Sequence, residues 1–119
     1  MNLAQYVPAL EWLGLHMDIF SDEFGEFGTF PTGEYAEPRL DLGGTDCDNA
    51  VAIILILDAI EAKGDTGGLY KPLLFKRDTD YECAFAGAYF KYGSFVGPTR
   101  TIAVLEAAKA LHEKEGGNG

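Results

Sequence analysis

The run from Ala50 to Leu57 most constrains the fold, because every residue in it is apolar. It is far shorter than the roughly 18 apolar residues that suggest a membrane span. Acidic residues precede the run and suit a helix N-terminus, and Gly64 follows it where a helix C′ residue belongs. The pattern predicts a helix over Asp46–Lys63. Because this helix is apolar on nearly every side, we expect it to be deeply buried.

Strand patterns follow this helix. Leu69–Lys76 and Tyr81–Ala86 are joined by turn residues and predict a β-hairpin, and the aromatic stretch Tyr89–Val96 predicts a third strand. Both faces of these strands carry apolar side chains. We therefore expect helices to cover the sheet on both faces.

Helices are also expected near the two ends of the chain, over Tyr6–Met17 and, after Pro98, over Thr99–Lys114. Between the first two helices, residues 18–37 form an acidic, Phe-rich segment. It predicts a loop or arm whose phenylalanines either tuck into the core or bind a partner.

The order of these elements predicts one α+β domain over residues 1–115. We expect an α-β-α layered sandwich with a small antiparallel sheet and about three helices. Residues 116–119 should form a disordered tail.

The charge is strongly acidic and unevenly distributed. Lys plus Arg is 9 and Asp plus Glu is 19, a net charge of −10. Residues 1–66 hold 13 acids and 2 bases, a net of −11, whereas residues 67–119 hold 6 acids and 7 bases, a net of +1. This balance disfavours binding to duplex nucleic acid or to an anionic membrane. The N-terminus lacks a basic and apolar export signal, so we expect a cytoplasmic protein whose Cys47 and Cys83 are thiols.

A candidate ligand site lies in the less acidic half. Glycines precede the last helix, whose N-terminus could receive an anion, and Arg100 lies in its first turn. Aromatic side chains there alternate with a cation, which suits base stacking and phosphate binding. The candidate ligand-binding residues are Tyr89, Lys91, Tyr92, Phe95 and Arg100. Two alternatives need no ligand. The aromatic stretch is then an amphipathic strand packed on a helix, and Arg100 is then only solvated.

Catalytic chemistry finds little support. Asp41, Asp46 and Asp48 could hold a divalent cation, but helix capping explains the last two without one. The cysteines and histidines match no zinc spacing, and no nucleophile triad or metalloprotease motif occurs. We therefore expect no enzyme, no metal site and no cofactor.

Three stretches resemble the phage ABA sandwich domain family of small phage proteins. Pro38–Ala50 leads through turn residues into an Ala-rich helix, Tyr81–Ala86 resembles the family's aromatic strand, and Pro98–Leu111 resembles its closing helix. The resemblance implies a phage or prophage origin and helices on both faces of an antiparallel sheet. More distantly, the chain is similar to phage anti-defence sponges of the Thoeris type, which sequester cyclic ADP-ribose signals. In such sponges aromatics and arginines bury the ligand between protomers.

Three functions remain open at this point. The first is a sponge in the infected bacterial cell that binds a cyclic nucleotide or another small anionic, nucleotide-type ligand. The second is an acidic inhibitor or decoy of a host defence protein, acting through the −11 half of the chain. The third is a ligand-free accessory protein. In each case we expect a homo-oligomer built on a two-fold dimer.

Overall fold

The first helix is shorter than its apolar spacing suggests. In the computed structural model, which describes residues 2–23, 25–31, 37–63, 71–86 and 94–116, a 3-10 turn (Leu3–Tyr6) leads into α1 (Val7–Trp12). Gly14 has a φ of +88° and donates its N–H to the Glu11 carbonyl, while the Leu15 N–H reaches the Leu10 carbonyl. This Schellman motif ends the helix, so the predicted extension to Met17 is wrong.

Residues 18–37, predicted as a loop or arm, contain a β-hairpin instead. Strands β1 (Asp18–Asp22) and β2 (Gly25–Thr29) pair antiparallel, and β3 (Arg39–Leu40) adds a third strand beside β2. We call this three-stranded sheet, in the order β1-β2-β3, sheet A. The phenylalanines of this segment differ in exposure. Phe30, just after β2, is buried in the core, whereas Phe20 on β1 is 49% exposed.

Helix α2 (Ala50–Lys63) begins four residues later than predicted, after a turn. In that turn the Thr45 hydroxyl accepts from the Asp48 N–H, and the Asp48 carboxylate accepts from the Thr45 N–H. One side of α2 is buried through Ala52, Ile53, Ile56 and Ile60. Val51 and Ile54 are 61% and 58% exposed, so the expected deep burial is wrong for this side of the helix.

Sheet B, in the order β4-β5-β6, confirms the predicted hairpin, and β6 confirms the end of the predicted third strand. Residues 69, 70 and 89–93 of these predicted strands lie outside the described residues. Its strands are β4 (Lys71–Lys76), β5 (Tyr81–Ala86) and β6 (Ser94–Gly97). Partnered residues Leu74, Cys83 and Phe95 form the inner face. The outer face exposes Leu73, Phe75 and Val96. No helix in the described ranges covers this outer face, contrary to the expectation of helices on both sides.

Helix α3 (Arg100–Leu111) follows β6 and continues as a π-helical segment, His112–Gly116. The Thr99 hydroxyl caps it by accepting from the Ile102 N–H at 3.1 Å. Eight of its side chains are buried, and it packs against sheet B, α1 and α2. The hydroxyl of buried Tyr6, in the 3-10 turn before α1, donates to Glu106 of α3 at 2.6 Å.

In the described part of the chain, three α-helices and two small antiparallel sheets give an α+β fold. The predicted class, helix number and antiparallel sheet are therefore confirmed, and sheet A is an addition that the sequence did not predict. Within the described ranges, no helix combines the length and the apolar character needed to cross a membrane. The disordered tail was predicted to start at Gly116, but that residue belongs to the π-helical segment. The rest of the predicted tail, residues 117–119, and Gly64 lie outside the described residues.

Candidate functional site

A polar junction joins the turn before α2 to the first turn of α3. The Asp46 carboxylate accepts from the Arg100 N–H at 2.9 Å, the Thr101 N–H at 3.0 Å and the Thr101 hydroxyl at 2.8 Å. These backbone N–H groups are among the donors that a helix N-terminus leaves without intrahelical partners. Asp46 therefore supplies an internal anion at the place where the sequence predicted a ligand anion.

The charge of Asp46 is stabilised by this arrangement. Partial burial on its own would raise the pKa of Asp46. The hydrogen bonds from Arg100 and Thr101, together with the Arg100 charge, outweigh burial and hold that pKa below its ordinary value. Asp46 is thus an acceptor that remains ionised at neutral pH.

Asn49 extends the junction into the core. It is 1% exposed. Its Oδ1 accepts from the Asp41 N–H at 2.8 Å, and its Nδ2 donates to the Asp41 carbonyl at 2.8 Å and to Thr101 Oγ1 at 3.2 Å. The buried amide therefore holds the loop after β3 against the start of α3.

The three aspartates considered for a cation each have a hydrogen-bond partner within the protein. Asp41 accepts from the Gly43 N–H at 3.0 Å, and Asp46 caps α3. Hydrogen bonds from Thr45 lower the pKa of Asp48. The described residues contain no group of three or more His, Cys, Asp or Glu side chains that could hold a metal ion. A polar cavity of about 380 Å³ beside them is lined by Arg39, Asp41, Asp48 and Asn49.

Arg100 has two partners rather than solvent alone. Its Cζ lies 4.4 Å from the centre of the Tyr81 ring, and its Nη1 lies 3.7 Å from Asp46 Oδ2. The side chain is still 42% exposed. Tyr81 therefore holds the guanidinium by a cation–π contact while part of it faces solvent.

An open groove of about 470 Å³ lies beside Arg100. Its apolar walls come from α2 and the inner face of sheet B, and its polar groups lie around the junction. The lining residues are Asp46, Cys47, Ala50, Ile53, Ile54, Leu57, Leu74 and Arg100. An apolar concavity of this size with a few polar groups is typical of a small-molecule site. We call it the α2 groove.

The structure describes two of the five predicted ligand residues. Arg100 lines the α2 groove. Phe95 is half-buried and packs against the core from β6, as the alternative of an amphipathic strand predicted. Tyr89, Lys91 and Tyr92 lie outside the described residues.

Sequence reasoning missed the two contacts that hold the Arg100 side chain. It assigned Asp46 to the start of α2 and Tyr81 to the start of a strand. The Arg100–Asp46 hydrogen bond spans 54 positions, so no local spacing could have signalled it. For Tyr81, the sequence signalled only that an aromatic residue stands at the start of a predicted strand.

The thiols and imidazoles have structural surroundings. Cys83 is buried, and loss of solvation with the nearby Glu82 charge raises its pKa to about 12. Cys47 is exposed. His16 bonds to Asp18 at 2.9 Å, and the His112 ring packs against a tryptophan, Trp12. Neither histidine contact activates a thiol.

Comparison with protein-family models, curated proteins and solved structures finds no match to this chain. The resemblance to the phage ABA sandwich family therefore stays a prediction.

Proposed function

We propose that this chain is a non-enzymatic binding protein that sequesters a small anionic ligand of the nucleotide type in the α2 groove. The observation that carries the proposal is the half-exposed Arg100 guanidinium, held at the groove by the Tyr81 ring. A fixed planar guanidinium suits phosphate because it can donate two parallel hydrogen bonds. The apolar side chains of α2 and Leu74 offer a surface for a base.

The distance between Arg100 and Asp46 supports this role. At 3.7 Å, Nη1 and Oδ2 form an ion pair that is too long for a good hydrogen bond. Asp46 instead accepts short hydrogen bonds from backbone and hydroxyl donors of α3. The guanidinium therefore keeps donor capacity for a ligand, and a few charge-assisted hydrogen bonds can act despite the net charge of −10.

Assembly is part of the proposal. The α2 groove is open to solvent, and Ile54 on its wall and neighbouring Val51 are exposed. We propose a homo-oligomer built on a two-fold dimer in which a partner protomer narrows the groove. We propose the anti-defence role in an infected bacterial cell on the basis of the resemblance to phage sponges.

A depletion assay tests the site. Purified protein is mixed with cyclic dinucleotides, cyclic trinucleotides and cyclic ADP-ribose isomers, filtered, and the unbound ligand is quantified by chromatography. We expect at least one ligand to be depleted. Arg100→Ala should weaken its binding roughly 10- to 100-fold, since hydrogen bonds to charged groups contribute about 1.5–3 kcal/mol. Arg100→Lys should also bind more weakly, because it keeps the charge but loses the planar fork.

Arg77→Ala is the matched control for this assay. Arg77 is also half-exposed, but it pairs with Asp80 at 3.1 Å in the turn after β4. Its loss should leave depletion unchanged. Equal depletion by Arg100→Ala and wild type would remove the α2 groove from the proposal.

A second candidate function is inhibition of a basic host defence protein by the acidic half of the chain. It is favoured by the hairpin of sheet A, where residues 18–29 contain four acids and no Lys or Arg, and Phe20 is exposed. Opposite charges would speed association and make it sensitive to salt. Raising the salt concentration should weaken this binding more than ligand binding in the α2 groove.

A further inference from the structure

A ladder of stacked side chains crosses sheet A, with one member on each strand. The Arg39 Cζ of β3 lies 3.9 Å from the centre of the Phe27 ring of β2. Phe27 in turn stacks on its register partner Phe20 of β1, with ring centres 5.6 Å apart and planes at 26°. The ladder ends at Phe20, which is 49% exposed. Its last ring therefore offers an aromatic surface at the edge of the sheet.

Strand β1 is the edge of sheet A. Within the described part of the chain it pairs with β2 alone. An edge strand carries a row of backbone N–H and C=O groups directed away from its own sheet, which can pair with another chain. The exposed ring and the backbone edge thus belong to the same strand.

Acidic side chains surround this edge. Asp18 and Asp22 lie on the same face as Phe20, two residues to either side, because side chains alternate along a strand. Glu23 is exposed at the hairpin end. Some of these charges have internal contacts, including the 2.9 Å bond between His16 and Asp18. The edge as a whole is acidic and lies in the half of the chain whose net charge is −11.

We propose that β1 is a docking edge for an extended, arginine-bearing segment of a basic partner protein. The partner backbone pairs with β1, and one arginine guanidinium lies on the Phe20 ring as the next member of the ladder. The same chemistry already exists at the other end, where Arg39 covers Phe27. This inference deepens the second candidate function and is independent of ligand binding in the α2 groove.

Charge and shape select this occupant over others. A nucleic acid would bring phosphates to an acidic edge. A second copy of this chain, paired β1 to β1, would place like charges opposite each other. Arginine is preferred to lysine because its flat, weakly hydrated guanidinium stacks on an aromatic face more readily.

The test uses the full chain labelled with ¹⁵N and a short peptide of alternating arginine and valine as the probe. We expect amide shifts concentrated in Asp18–Asp22, slower hydrogen exchange of amides in that strand, and weaker binding by the matching lysine–valine peptide. Phe20→Leu should weaken binding of the arginine peptide roughly two- to fivefold, the size of an exposed cation–π contact. N-methylation of alternate peptide amides should reduce binding because it removes strand donors.

Phe75→Leu is the matched control, since Phe75 on β4 is 45% exposed and lies in the other sheet. It should bind the arginine peptide as wild type does. If Phe20→Leu binds equally well, or if the shifts map elsewhere, the ladder proposal is overturned. Salt-sensitive peptide binding that Phe20→Leu does not weaken would support the second candidate function but overturn this docking mode. Absence of any binding to the peptide would overturn the docking edge and leave the depletion assay to decide the α2 groove independently.

Discussion

Removing the Asp46 carboxylate is the sharpest perturbation of the polar junction. Asp46→Ala removes the acceptor for two backbone N–H groups and one hydroxyl in the first turn of α3. Loss of a helix cap costs about 0.5–2 kcal/mol, and hydrogen bonds to a charged group contribute about 1.5–3 kcal/mol. Because Thr99 still caps α3, we expect Asp46→Ala to lower the free energy of unfolding by about 2–3 kcal/mol.

Asp46→Asn separates the charge from the hydrogen bonds. It keeps one acceptor oxygen, so we expect a loss of about 1 kcal/mol. Urea unfolding followed by far-UV circular dichroism at neutral pH measures both variants. Asp58→Asn, on the exposed side of α2, is the control and should change stability by less than about 0.5 kcal/mol.

The pH dependence gives the refuting result. Since folding lowers the pKa of Asp46, its stabilising contribution is fully present above the unfolded pKa of about 3.9 and is lost as pH falls through the folded value. The stability gap between wild type and Asp46→Asn should therefore shrink on acidification. A gap that is absent at neutral pH, or that stays constant as the pH falls through this range, would refute the assigned role of Asp46.

Three further predictions follow from local geometry. Gly14→Ala should lower the free energy of unfolding in urea by about 1–2 kcal/mol, because φ at this helix end is +88°; an unchanged value would contradict the Schellman ending. Asn49→Ala should cost about 2–3 kcal/mol in the same assay by leaving buried partners unsatisfied; a neutral change would contradict it. Ellman's reagent should label exposed Cys47 in the native protein and buried Cys83 only after unfolding; rapid labelling of both would contradict the burial.

The elements with strong local periodicity were predictable. The apolar run of α2, the alternation in β5 and the Pro-Thr start of α3 each repeat a pattern that one element satisfies. The β1–β2 hairpin was not recognised because its large apolar side chains do not mark its buried face. Phe20 points outward, while Gly28, which has no side chain, lies on the buried side. Hydrophobic alternation therefore gave the wrong signal there.

Solvent exposure on α2 was only partly predictable. The run Ala50–Leu57 is apolar on every side, so by itself it does not reveal which side of the helix faces solvent. Asp58 and Glu61, which are exposed on the same side as Val51 and Ile54, are the sequence signal for that side. Val51 and Ile54 became exposed because α3 and the sheets cover only the opposite side. Arg100 could be nominated from its position after Pro98, but its contacts with Asp46 and Tyr81 depend on how distant segments meet.

The most direct test of sequestration is to recover the ligand after binding. A nucleotide depleted by the protein is released by heat denaturation and then identified by chromatography and mass spectrometry. A non-enzymatic sponge returns the ligand chemically intact and in the amount that was bound. Return of a cleaved or modified nucleotide would contradict the central proposal and reveal an active site, whereas failure to deplete any member of the panel would contradict nucleotide sequestration itself.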